Sequence, residues 1–141
     1  MSRNFLGIAW AGLYAADLTA LVSFYVERVG LPIVENGDGY CMLDVGGGAV
    51  FELWADGAGA PHLKTPAEQS VIIGFAVLSL ESAMEDLSNR GLQPDSEVGT
   101  YGSSRWVYYS DPEGNRFELK ETMDFALTHL GTASPMARDH S

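Results

Sequence analysis

Two glutamates in identical settings are where this chain of 141 residues could do chemistry, Glu52 in Phe51-Glu52-Leu53 and Glu118 in Phe117-Glu118-Leu119. A carboxylate can attract an organic cation, accept a proton from a carbon acid, or ligate a metal ion. The residues that share its surroundings decide which. In a strand successive side chains alternate faces, so each glutamate points away from the Phe and Leu beside it. The apolar pairs then pack beneath helices, and the carboxylates face an open side where a ligand can reach them. The same alternation places Trp10, Gly12 and Tyr14 on the side of Glu52, with Ala9, Ala11 and Leu13 on the helix side, and sends Val50 and Trp54 to the side of Glu52. In the run 104–110, Val107 and Tyr109 are assigned to the core, leaving Trp106 and Tyr108 beside Glu118. The expected ligand-binding set is Trp10, Tyr14, Tyr40, Met42, Glu52, Trp54, Ile72, Trp106, Tyr108 and Glu118. It forms an aromatic floor with two carboxylates, suited to stacking a flat molecule and holding a positive charge. The tryptophans also fit a core or a dimer interface.

The elements that must position these residues are written twice. A strand-like run over 6–14 leads to a helix over 17–29 and Gly30-Leu31-Pro32. A second run over 70–77 leads to a helix over 80–90 and Gly91-Leu92-Gln93-Pro94. Asp17 and Ser79 are placed to cap the two helices, and each glycine suits the left-handed residue that ends one. Leu18, Leu21, Val22, Tyr25 and Val29 in one helix, and Leu80, Ala83, Met84 and Leu87 in the other, recur every three or four residues as a buried stripe. Turns at Asn36-Gly37-Asp38-Gly39, Gly46-Gly47-Gly48 and Asp111-Pro112-Glu113-Gly114 separate strands. The expectation is an α+β fold of two βαβββ modules, at about 5–55 and 70–121, in a single domain. A linker covers 56–69. A tail over 122–141 begins with a short amphipathic piece at 123–130 and ends in residues expected to fray.

Net charge is −11, from 8 basic against 19 acidic residues, which disfavours nucleic acid and anionic membranes as partners. The longest apolar run, 5–16, falls short of the ~20 residues that cross a bilayer, and the N-terminus shows no signal-peptide pattern. A cytoplasmic location is expected. The single cysteine, Cys41, excludes an internal disulfide and a multi-thiolate metal site, and reads as a small core residue. No Ser-His-Asp arrangement or phosphate-cradling loop is apparent.

The paired modules, the run Gly12-Leu13-Tyr14-Ala15-Ala16-Asp17-Leu18, the pair Phe24-Tyr25, Gly30-Leu31-Pro32 and the closing Asp111-Pro112-Glu113-Gly114-Asn115-Arg116-Phe117-Glu118-Leu119 closely resemble the vicinal oxygen chelate superfamily of glyoxalases, dioxygenases and bleomycin-resistance proteins. The resemblance covers about 5–121. It implies curled mixed sheets around a concave cleft, commonly completed in a homodimer. In the metal enzymes of that group, ligands lie on first and last strands. By match, the carboxylates fall on Glu52 and Glu118, and the histidine positions on Trp10 and Ile72. The three histidines present, His62, His129 and His140, lie in the linker and tail. No metal and no cofactor is therefore expected, and the bleomycin-resistance branch is the nearest likeness. The function expected is a metal-independent binding protein that sequesters a planar aromatic or cationic natural product such as an antibiotic. Two alternatives stay open: a metal-free lyase or isomerase with Glu52 or Glu118 as general base, helped by Tyr14, Tyr40 or Tyr108, and a metal-dependent glyoxalase-like or dioxygenase-like enzyme with unusual ligands. Arg116 and Lys120 share the side of Glu118 and are expected at its rim or in salt bridges. Arg105 is expected on the other side, as a structural or solvent-facing residue.

Overall fold

The computed structural model describes residues 4–60 and 62–122, so the amphipathic piece at 123–130, the fraying tail, His129 and His140 lie outside the described residues. Two βαβββ modules are present. The first contains β1 (Trp10–Tyr14), α1 (Leu18–Ser23) continuing as a π-helical stretch (Phe24–Val29), β2 (Ile33–Gly37), β3 (Tyr40–Asp44) and β4 (Val50–Trp54). The second contains β5 (Ile73–Ala76), α2 (Leu80–Asn89), β6 (Gly99–Tyr101), β7 (Ser104–Ser110) and β8 (Arg116–Thr122). Each module makes a four-stranded mixed sheet of the same order, β1-β4-β3-β2 and β5-β8-β7-β6, with the first strand parallel to the last. The chain folds into two compact units, Met1–His62 with Pro112–Gly114, and Leu63–Asp111 with Asn115–Ser141.

The capping expected from sequence is realised. Asp17 accepts from the Ala20 amide and Ser79 from the Ser82 amide, while Gly30 and Gly91 close their helices at φ 92° and 85°. Three elements differ from expectation, the first being β1, which covers only Trp10–Tyr14 of the run over 6–14. The helix over 17–29 is α-helical only in its first half. The amides of Gly30 and Leu31 both reach back to the Tyr25 carbonyl, which widens the last turns. Tyr25 stays buried there, its ring edge-on to Phe51 at 5.1 Å, and Leu21 is buried one turn earlier. The strand expected over 70–77 shortens to Ile73–Ala76. The Gln69 carboxamide donates to the Arg116 carbonyl and accepts from its amide, both at 2.7 Å, so a side chain takes the backbone partners that an earlier strand start would have used.

In each unit the face under the helix is the core. Phe51, Leu53, Cys41 and Leu43 lie with Leu21 and Tyr25 in the first, and Val107, Tyr109, Phe117 and Leu119 with Leu80 and Leu87 in the second. The alternation assigned to 104–110 therefore holds. Burial also pushes the Cys41 thiol up, as fits a small core residue.

Candidate functional site

The register of the first sheet sets its other face in three rows. Gly12, Glu52 and Met42 are direct neighbours across β1, β4 and β3; Tyr14, Trp54 and Tyr40 form the next row; Trp10, Val50 and Asp44 form the row before. All six residues expected from this module thus come together on one sheet face. The Tyr14 and Trp54 rings lie 6.3 Å apart at a tilt of 54°. Glu52 is only 8% exposed although its strand face is the open one, and Trp10 explains this. Its indole lies along the strand across Gly12, and its Nε1–H donates to Glu52 Oε1 at 2.7 Å. A Cβ on Gly12 would collide with the six-membered ring of that indole, so the missing side chain is what lets Trp10 reach the carboxylate. Among the described residues, no cation pairs with Glu52. The Tyr40 hydroxyl donates to Glu35 at 2.5 Å, and this hydrogen bond, with burial second, pushes the phenol above its ordinary value.

The second sheet repeats the plan with other side chains. Gly74, Glu118 and Tyr108 are neighbours across β5, β8 and β7, and Ala76, Lys120 and Trp106 form the adjacent row. Here the glycine leaves space for the glutamate itself, since a Cβ on Gly74 would stand 2.5 Å from Glu118 Oε1. Burial, then the charge of Glu118, then a hydrogen bond to it, raise the Tyr108 phenol. Arg116 lies over the Tyr108 ring at 4.9 Å and pairs with Asp95 at 3.5 Å; Lys120 lies over the Trp106 ring at 5.5 Å. Both aromatic rings of this face are thus occupied by the protein's own cations, which alignment of the repeats foreshadows: Val50 and Trp54 stand where Arg116 and Lys120 stand. Ile72 is exposed and falls one residue ahead of β5, outside the ladder. Arg105, on the other side of the strand, holds Glu81 and Glu121.

Sequence reasoning placed Gly12 on the face of Glu52 but missed the room its absent side chain gives Trp10, and missed Gly74, although a glycine two residues after Trp10 and Ile72 was a readable repeat. It also missed Glu113. This buried carboxylate of the β7–β8 turn accepts from the amides of Ala16 at 2.9 Å and Asp17 at 2.7 Å, inside the first unit.

An imidazole–carboxylate metal set does not fit these residues. The Trp10 nitrogen carries a proton, has no lone pair for coordination and donates to one oxygen of Glu52 in the next row, and Ile72 is hydrocarbon.

The profile of the Glyoxalase/Bleomycin resistance protein/Dioxygenase superfamily matches residues 7–119. Among solved structures, the chain is similar to a glyoxalase/bleomycin resistance protein/dioxygenase from Nocardioides, with 24% identity, 88% of this chain and 87% of that chain covered, and a TM-score of 0.64. It is also similar to a protein of the same description from Alicyclobacillus acidocaldarius, at 16% identity, 89% and 98% coverage and a TM-score of 0.68. A glyoxalase/bleomycin resistance protein from Catenulispora acidiphila shares 19% identity over 82% of this chain and 99% of that one, with a TM-score of 0.64. These likenesses show the fold. No curated protein gives a significant match. With its two modules in the expected order and the superfamily profile spanning both, the chain belongs to the glyoxalase/bleomycin resistance protein/dioxygenase superfamily.

Proposed function

We propose that the face around Glu52 binds a planar organic cation, and that the protein acts as a metal-independent sequestering protein for a natural product such as an antibiotic. The observation that carries this is a largely buried carboxylate with no cationic partner among the described residues, set in rows with Trp10, Tyr14, Tyr40 and Trp54. A desolvated carboxylate beside ring faces attracts a delocalised cation more strongly than it would in water. The bleomycin-resistance part of the superfamily description agrees in kind with such a role. Titration with proflavine, a planar cation, is the test. Glu52→Gln and Trp54→Ala are each expected to weaken binding about tenfold or more, the scale of one charge-assisted contact, and the dye is expected back with its mass unchanged. Equal affinity in wild type and Glu52→Gln would remove the proposal.

A second reading, a lyase or isomerase, draws on Tyr108 standing opposite Glu118 across β7 and β8, a phenol beside a potential base. Recovery of a chemically altered ligand, lost in Glu118→Gln, would favour it.

A further inference from the structure

We infer that the Glu118 face of the second sheet binds a small carboxylate that also carries an amine or hydroxyl group. This lies beyond the role proposed for Glu52 and does not depend on it. In a chain of net charge −11 with only 8 basic residues, two stand on one side of a single strand, Arg116 and Lys120, flanking Glu118. They are not spent alike. Arg116 is shared between the Tyr108 ring and Asp95. Lys120 rests on the Trp106 ring and has no carboxylate partner among the described residues, so its ammonium is held in place with its ionic valence open. An ammonium fixed over an aromatic ring has already lost much of its rotamer freedom, which lowers the entropic cost of engaging an anion.

Glu118 sets the rest of the ligand. It is the next residue on the same face, and same-face positions on a strand are separated by about 7 Å. A carboxylate on Lys120 therefore brings a neighbouring ammonium or hydroxyl within reach of Glu118, whose neighbour across the sheet is Tyr108. A simple anion would meet repulsion from Glu118, and a simple cation from Lys120. A molecule bearing both an acidic and a hydrogen-donating group avoids both. The first sheet offers no such pairing, because Trp54 occupies the position equivalent to Lys120.

Three related probes separate the contributions: phenylalanine, 3-phenylpropanoate without the amine, and 2-phenylethylamine without the carboxylate. With 15N-labelled protein, phenylalanine is expected to move the Trp106 indole resonance saturably and to bind most tightly of the three. Lys120→Met should weaken phenylalanine by about tenfold or more, as loss of a charge-assisted bond does, whereas Lys120→Arg should retain it. Lys120→Gln serves where the Met variant melts early. The inference is overturned if Lys120→Met and Lys120→Gln bind phenylalanine like wild type, if 2-phenylethylamine matches phenylalanine, or if none of the probes moves Trp106.

Discussion

Glu52 shows how one absent side chain can govern a present one. Its carboxylate is covered because Trp10 lies over Gly12, and glycine is the only residue type that leaves room there for the ring. Gly12→Ala is therefore expected to push the indole off the carboxylate while keeping the strand, since β1 needs no left-handed backbone there. The check is tryptophan emission: freed of its anionic acceptor, Trp10 should change its maximum and become more accessible to a neutral quencher such as acrylamide. Spectra and quenching identical to wild type would contradict the geometry. Which face Trp10 takes was legible from alternation. Its hydrogen bond was not, because alternation fixes the side of a sheet and says nothing about the rotamer. The same limit hid the seating of Arg116 and Lys120 on Tyr108 and Trp106, although the parity that made this possible was plain.

Among the elements, caps and turns were readable because their chemistry is local, as with Asp17, Ser79, Gly30 and Gly91. The π-helical turns were not, since apolar spacing does not set which carbonyl the Gly30 and Leu31 amides reach, and the late start of β5 was not, since it depends on the distant Arg116 backbone taken by Gln69. Helix α2 is tied to its sheet by a charge fork. Arg105 donates to Glu81 at 2.6 and 2.9 Å and to Glu121 at 2.6 and 2.8 Å. The hydrogen bond from Arg105 is the main cause holding the Glu81 carboxyl at about 2, below its ordinary 4.5. A carboxyl depressed by folding contributes stability above its unfolded value and loses it as pH falls through the folded one. Wild type should therefore exceed Glu81→Gln in melting temperature above pH 4.5, and the two curves should converge by about pH 2. Because the pair is exposed, high salt should narrow the gap. Parallel curves across that range would show that the fork adds nothing. A sharper loss belongs to Glu113, whose two backbone bonds stand at the start of α1 where a negative charge is favoured. Glu113→Ala leaves the Ala16 and Asp17 amides without their acceptor and should cost about 2 kcal/mol in urea unfolding, the scale of hydrogen bonds to a charged group. A change within error of zero would mean that water replaces the carboxylate fully.

For the molecule as a whole, duplication was the most legible property: the repeated Phe-Glu-Leu closes each module as the second strand of its sheet order. Aligned on that tripeptide, the copies also diverge in charge, with hydrocarbon and indole at Val50 and Trp54 against two cations at Arg116 and Lys120. No helix among the described residues is long and apolar enough to cross a membrane.

The placement of Pro112–Gly114 in the first unit bears on how the protein is made. A nascent chain can lay down β1 to β4 early, but the amides of Ala16 and Asp17 find their acceptor in a residue translated 97 and 96 codons later. Completion of the first module thus awaits synthesis of nearly all of the second, so a ribosome paused in the linker would display an early half that is shaped but unfastened.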